Sequence, residues 1–424
     1  MAIVLAGCGP QRAEPDGRCV ARAEEVAAWL KSVAVNEGDV TFWPVAPGRQ
    51  DAPGLSLYGG TPGVVLFFHE LHRTTGRDDY RVLAERGARW VASRAATDGA
   101  AMHWIVEGDD GKPAADAGLY TGTAGIGWMF LQLGGEWRRQ ARGAAEWLSK
   151  DARWGIVNDV VSGAAGVGLF LVRASHELRE PRYLDGARAA GDWLLSEAIR
   201  EKSGLRWKLS RDFARVYPNF SHGTAGVAFF LAVLYARTKD ERYLRAALDG
   251  AAWLESVRPP TDAGAAWYRH EPDARELYYV GWCHGPAGTA RLFRQLHRVT
   301  GDATWSSMER ECARWVLNCG APKPLPGFWN VSVCCGTAGV GEFFVDLFHT
   351  TRDDEYRARA RVMAEHLDAT AAPGAPGLKW VQAEHRVKPD DVRAQTGYMQ
   401  GAAGIGLFFL KMSGRRFTPP DSPY

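Results

Sequence analysis

Seven stretches of this chain open on the same pattern, Gly-x-x-Gly, and most of them run on apolar at almost every position. Gly60-Thr-Pro-Gly63 leads into Val-Val-Leu-Phe-Phe, Gly122-Thr-Ala-Gly125 into Ile-Gly-Trp-Met-Phe, and Gly163-Ala-Ala-Gly166 into Val-Gly-Leu-Phe-Leu. Gly223-Thr-Ala-Gly226, Gly285-Pro-Ala-Gly288, Gly336-Thr-Ala-Gly339 and Gly401-Ala-Ala-Gly404 complete the series, with successive first glycines 62, 41, 60, 62, 51 and 65 residues apart. Ahead of each copy lies a segment of another kind: residues 24–33, 80–94, 136–150, 183–198, 243–256, 307–317 and 356–367 are rich in Ala, Arg, Glu and Leu, with apolar positions at helical spacing. Six of them carry a tryptophan at a similar place (Trp29, Trp90, Trp147, Trp193, Trp253 and Trp315), and the seventh carries His366.

The two patterns predict two layers. A helix with one wet face belongs outside, and one apolar nearly all round belongs inside. A single helical pair cannot bury both of its apolar faces, whereas pairs arranged in a circle can. The expected fold is therefore all-α: an α/α toroid of seven hairpins with few strands. Its inner helices run parallel, so that all seven Gly-x-x-Gly starts gather at one rim. Glycine there is expected to permit close backbone approach and unusual dihedrals. The linkers 97–118 and 373–396 are expected on that rim, positioned to cover it. No gap between repeats is long enough for an inserted domain, so residues 21–424 read as one toroid domain and 1–20 as a tail.

Composition narrows the function. With 424 residues, 46% apolar and 24% charged, the chain is of the soluble globular class. A net charge of +2 without a dense Lys/Arg block argues against nucleic acid as a partner, and the sequence has no apolar run of membrane-spanning length. Seven cysteines, an odd number in a long chain, do not make a disulfide framework, and neighbours such as Cys334 and Cys335 could not pair without strain. Reduced thiols in the cytoplasm, in a monomeric protein, are the expectation. Leu5-Ala6-Gly7-Cys8 matches the small-residue pattern before a lipidated cysteine, which gives a lipid-anchored or exported alternative, but it lacks a basic flank and its apolar stretch is short.

The residues just ahead of the glycine motifs are where the copies differ. Sulfur and polar groups concentrate in copies four to six, as Ser221-His222, Cys283-His284 and Cys334-Cys335, with Asp159 slightly ahead of copy three. Helix starts favour thiolate over thiol. Three thiols at two such starts are the ingredients of a zinc site that keeps one position open for substrate, a closed structural site needing a fourth ligand. The plainer alternatives are inert core cysteines, which suits Cys312 and Cys319, satisfied core histidines for His222 and His284, and a helix-capping role for Asp159.

The seven hairpins, with Trp282-Cys283-His284-Gly285 in the fifth and Cys334-Cys335-Gly336 in the sixth, resemble the lanthionine synthetase C-like cyclase family over nearly the whole chain after Ala21. That resemblance implies the toroid and one Zn²⁺ per chain. It also implies addition of a cysteine thiol to dehydroalanine or dehydrobutyrine in a peptide, closing a thioether ring. Matched motif by motif, Cys283, Cys334 and Cys335 are the zinc ligands; the family's commoner pattern has histidine at the last of these, and some members have three cysteines. His222 matches the family's active-site histidine and Asp159 its active-site aspartate, and His284 joins them as a candidate. The family often has an arginine one turn before the first cysteine; Tyr279 stands there here, with Arg275 a further turn back, and neither receives that role. Nothing in the chain could make dehydroamino acids, so the partner is a peptide already dehydrated, with or without a leader segment, by a separate dehydratase.

Chemistry follows from charge. Three thiolates leave the zinc site at −1, and a fourth from substrate makes it −2, so the bound sulfur keeps electron density as a nucleophile. Attack at the β-carbon creates an enolate that needs a proton at the α-carbon, the expected task of His222 and Asp159. Two other functions fit the same residues: addition of a small thiol such as glutathione to dehydrated protein side chains, and a zinc-bearing peptide-binding protein without turnover. A glycan-processing toroid would need paired carboxylates at the inner rim, and Asp159 has no partner of that kind among the motif-flanking residues.

Overall fold

The computed structural model describes residues 16–48, 54–107, 112–150, 152–372 and 376–422. The Leu5–Cys8 pattern lies outside them. Fourteen α-helices occur among the described residues: α1 (Gly17–Ser32), α2 (Thr61–Thr75), α3 (Asp78–Ser93), α4 (Thr123–Leu133), α5 (Arg138–Lys150), α6 (Ala164–Glu177) and α7 (Arg182–Ser196), then α8 (Thr224–Thr238), α9 (Glu241–Val257), α10 (Pro286–Thr300), α11 (Ala303–Asn318), α12 (Thr337–Thr351), α13 (Asp354–Thr370) and α14 (Ala402–Met412). The seven even-numbered helices start inside the glycine motifs and pack side by side in a closed circle, α14 meeting α2. The odd-numbered helices lie outside them. The fold is the expected α/α toroid.

Pairing differs from the order of the repeats in sequence. Each inner helix packs most closely on the outer helix that follows it, α2 on α3 through to α12 on α13, and α14 closes the ring on α1. The short connections decide this. Gly76 ends α2 in a left-handed conformation two residues before α3 begins, so the chain reverses at once. The long connections run from an outer helix to the next inner one. Among the described residues they carry five small antiparallel sheets of two or three strands.

The rim is held by the backbone. Counting back two residues from the first glycine of each motif gives Tyr58, Tyr120, Val161, Ser221, Cys283, Cys334 and Met399. Their amides and carbonyls form a girdle around the ring axis: Tyr58 N donates to Tyr120 O (2.8 Å), Tyr120 N to Val161 O (2.9 Å), Ser221 N to Cys283 O (2.9 Å), Cys283 N to Cys334 O (3.0 Å), Cys334 N to Met399 O (2.9 Å) and Met399 N to Tyr58 O (2.8 Å). In the third copy the donor to Ser221 O slips to Val160 N (3.2 Å). This girdle puts all seven inner-helix starts at one end, as the parallel arrangement requires. It also explains the second glycine of each motif. A Cβ on Gly288 would lie 1.9 Å from Trp282 O, and one on Gly404 1.8 Å from Tyr398 O. The first glycines have extended dihedrals rather than unusual ones, φ −121° at Gly285 for example, so close approach is what selects them.

A second tryptophan set fastens the layers together. Trp43, Trp104, Trp207, Trp267 and Trp380 each follow by thirteen residues an outer-helix residue whose carbonyl accepts the indole N–H, at 2.7–2.9 Å (Leu30, Val91, Leu194, Leu254 and Leu367). Trp329 stands at the same offset from Val316, yet its indole donates instead to Ala383 O (3.2 Å).

Candidate metal centre

The girdle turns at Cys283 and Cys334, ahead of α10 and α12, and brings three thiols together. The Sγ atoms of Cys283, Cys334 and Cys335 all lie within 4.8 Å of one another. Cys335 Sγ is 3.3 Å from the sulfurs of both Cys283 and Cys334. All three residues are buried and none is in a disulfide. A tetrahedral zinc with Zn–S bonds of about 2.3 Å would space its sulfurs roughly 3.8 Å apart, so small side-chain shifts would seat one ion, and an all-sulfur donor set suits zinc. It is the one such cluster among the described residues.

The thiols share their charge. Cys334 is held well below the usual thiol range because Cys283, Cys335 and the Tyr58 hydroxyl donate hydrogen bonds to it. Burial holds Cys283 well above that range, and donation to its two neighbours does the same for Cys335. A divalent cation bound there would allow the second and third thiols to ionise. Gln400 Nε2 donates to Tyr58 Oη (2.9 Å) and points its other hydrogen toward Cys335 Sγ at 3.9 Å.

His222 and Asp159 meet beside this centre. Val160 N to Ser221 O pins copy three against copy four, so the residues flanking that bond converge. Asp159 is buried; one carboxylate oxygen accepts from Ser162 N (2.8 Å), capping the turn, and the other lies 2.5 Å from His222 Nδ1. Burial pulls the His222 imidazole down, but the hydrogen bond and charge of Asp159 outweigh it, and its pKa is raised above the ordinary 6.5. One third of the His222 side chain stays exposed to the cleft. His284 differs. It stacks on Tyr217 (5.2 Å) with Tyr279 edge-on at 5.5 Å; burial, then the positive charges nearby, hold it well below the ordinary value, and its Nδ1 has no partner. His222 and His284 face each other at 5.5 Å between ring centres.

The three thiols, His222 and His284 line one cleft of about 210 Å³, and Asp159 reaches it only through His222. Arg269, Tyr279, Trp329, Glu384 and Arg386 complete its wall. Arg269 lies over the Tyr279 ring (5.3 Å) with its buried Nε unpartnered, and Arg386 bonds the Tyr279 hydroxyl. Arg275 stays outside, exposed and paired with Glu271. Residues 384–387 carry the 373–396 linker to the cleft, whereas the strands Ala95–Asp98, Ala101–Glu107 and Pro113–Ala115 of the 97–118 region form a sheet against α5 and do not line it. Cys312 is buried, Cys319 bonds the Val316 carbonyl, and neither lines the cleft. Arg269, Trp329 and Arg386 were not legible in sequence, since they sit in linkers without a repeating motif. Trp329 alone left a trace, its thirteen-residue offset.

The family model for lanthionine synthetase C-like proteins matches residues 52–416. Among solved structures, nisin cyclase superposes with a TM-score of 0.63 at 16% identity, covering 94% of this chain and 93% of that one. The GH76A α-1,6-mannanase from Salegentibacter sp. HEL1_6 superposes at 0.52 with 11% identity, covering 93% and 98%. A sugar epimerase from a ruminal bacterium reaches 0.50 with 11% identity, covering 94% and 100%. At these identities the likeness is one of fold. An inactive variant of the mannanase carries substitutions at two consecutive aspartates. Here Glu384 is the one carboxylate on the cleft wall, and Gln395 Nε2 donates to it (2.9 Å). Sulfur, not paired carboxylate, occupies this rim.

Proposed function

The chain belongs to the lanthionine synthetase C-like family, and on that premise we propose that it adds a cysteine thiol across a dehydroalanine or dehydrobutyrine of an already dehydrated peptide, closing a thioether ring. The observation that carries this reading is the meeting of three buried thiols in one cleft with His222, whose Nδ1 is bonded to Asp159. Cys283, Cys334 and Cys335 would hold one Zn²⁺. When bound, the ion supplies a thiolate nucleophile at neutral pH by acidifying a coordinated thiol.

The remaining work falls to side chains. The thiol sulfur forms a bond to the β-carbon, the C=C pair moves to the α-carbon and carbonyl as an enolate, and one proton must reach the α-carbon. His222, whose pKa the hydrogen bond and charge of Asp159 raise and whose ring is open to the cleft, is the group to deliver it. Arg269 and Arg386 bring two guanidinium groups to the same wall, where they would stabilise the enolate oxygen. His284 stays neutral, because burial and the positive charges around it disfavour a second proton.

The same two arginines favour a second reading, in which the thiol is a small carboxylate-bearing one added to dehydroamino acids in proteins. The third, peptide binding without turnover, needs the centre and not the pair. Elemental analysis of the wild type and of the three Cys→Ala variants tests the metal assignment. One zinc per chain, lost or weakened in each variant, is expected; full retention in a variant removes that residue from the ligand set. Offering a thiol-free dehydroalanine protein together with glutathione separates the first two activities.

A further inference from the structure

Each repeat buries one side chain three residues before its first glycine, and most of these pack against the second glycine of a neighbouring repeat. These are Leu57, Leu119, Val160, Phe220, Trp282, Val333 and Tyr398, all buried. Trp282 is the residue next to Cys283, and its indole is packed edge-on by Tyr120 (5.1 Å) and Phe220 (5.7 Å). A polar N–H in that aromatic layer needs an acceptor. It comes from 139 residues away: Asp421 Oδ2 accepts from Trp282 Nε1 at 2.7 Å.

The segment after α14 is built to deliver that carboxylate. Phe417 sets its ring edge-on against Trp128 (6.1 Å) and Tyr398 (6.2 Å). Pro419 and Pro420 are buried, and Asp421 is wholly buried. Its second oxygen accepts from Arg291 (2.9 Å), so the charge is compensated inside the ring. Cys283 is thereby fixed from two sides: the girdle holds its backbone, and Asp421 holds the neighbouring side chain from below. Asp421 lies beyond the residues that the family model matches.

We propose that Asp421 is a positioning residue for the three-cysteine centre, acting through the Trp282 indole to hold the Cys283 loop in register with Cys334 and Cys335. The segment is then a strut inserted from the end of the ring opposite the cleft. The inference rests on the metal reading only for one of its two tests.

Asp421→Ala and Asp421→Asn decide it, the latter keeping an oxygen for the indole while losing the charge. The first measurement is made on metal-free protein: pulsed alkylation with each cysteine quantified by mass spectrometry. Cys283 should react severalfold faster in Asp421→Ala than in wild type, with Asn between them. Cys312, buried elsewhere, should stay unchanged as the internal control for general loosening. The second measurement is competition for zinc against a chelator, where a loss of about 10-fold in affinity is expected for the Ala variant, as for other residues that orient ligands indirectly. Leu367→Ala in α13 supplies a destabilised variant without contact to the strut. Equal acceleration at Cys283 and Cys312, or unchanged Cys283 in an Asp421→Ala protein with lowered Tm, overturns the proposal and leaves the segment as packing alone. Should Asp421→Ala fail to fold, Trp282→Phe, which removes the indole N–H and keeps an aromatic ring, takes its place: a Cys283-selective rise in reactivity supports the proposal, and wild-type Cys283 reactivity overturns it. A wild type that binds no zinc sinks the metal reading, while the alkylation pattern still decides the role of Asp421.

Discussion

Replacing Asp159 by Asn separates what this residue does for the fold from what it does for His222. Its two oxygens have different tasks, one capping the turn at Ser162 N and the other bound to His222 Nδ1. Asn keeps one acceptor oxygen, so the cap, worth about 0.5–2 kcal/mol in comparable positions, largely survives. What goes is the anion beside the imidazole. Because Asp159 is what raises the His222 pKa against the opposing effect of burial, the variant should bring it down. A proton donor charged less of the time and no longer oriented should slow thioether formation by about 10²-fold or more, within the range for loss of a positioned acid–base group. Nitrogen-15 NMR of labelled histidine reads the first effect, and timed mass spectrometry of an alkylated peptide reads the second. The linkage has a definite sign. A raised folded pKa contributes stability that is full below the unfolded value near 6.5 and is lost as pH rises through the folded value. Metal-free wild type should therefore lose part of its Tm advantage over Asp159→Asn as pH rises from 6 toward 9. An unchanged His222 titration with a near-native rate would refute the acid–base assignment.

His222→Asn should retain zinc and lose about 10²–10⁴-fold in rate; retention of both would show that the imidazole only packs. Gly288→Ala should prevent folding or lower Tm sharply, because its Cβ would meet Trp282 O at 1.9 Å; a native Tm would mean the girdle yields more easily than its hydrogen bonds suggest. Trp267→Phe should cost about 1–3 kcal/mol in chemical denaturation by leaving the Leu254 carbonyl unpaired in the core, without affecting zinc content. Arg269→Gln should slow turnover at full zinc occupancy, and an unaffected rate would remove Arg269 from the chemistry.

Much of the fold was legible because the repeats state it twice, once as apolar runs after Gly-x-x-Gly and once as amphipathic segments before it. What a period cannot convey is which neighbour a helix prefers. Left-handed Gly76 reverses the chain between α2 and α3, and it outweighed the order of segments within a repeat. Six of the seven outer helices start earlier than their apolar spacing indicates, because caps rather than apolar residues set the first turn: the segment expected from Tyr243 starts at Glu241, after Asp240, whose carboxylate accepts from Arg242 N at 3.0 Å. Within the cleft, residues next to the glycine motifs could be named because the girdle fixes their address. Arg269 and Arg386 reach it from linkers whose path depends on the small sheets and on tertiary contact. Asp421 was out of reach altogether, since nothing in the local sequence announces a carboxylate bound for an indole 139 residues earlier.

The central claim is thiol addition at the three-cysteine centre, and one measurement tests it most directly. A synthetic peptide carrying a dehydroalanine and a downstream cysteine is incubated with zinc-loaded protein, alkylated, and weighed by mass spectrometry. The account predicts a product of unchanged peptide mass that no longer takes up the alkylating reagent, formed by wild type and not after chelation or with Cys335→Ala. A peptide whose thiol remains fully alkylatable after prolonged incubation with zinc-loaded wild type, at a rate no different from buffer, would contradict it.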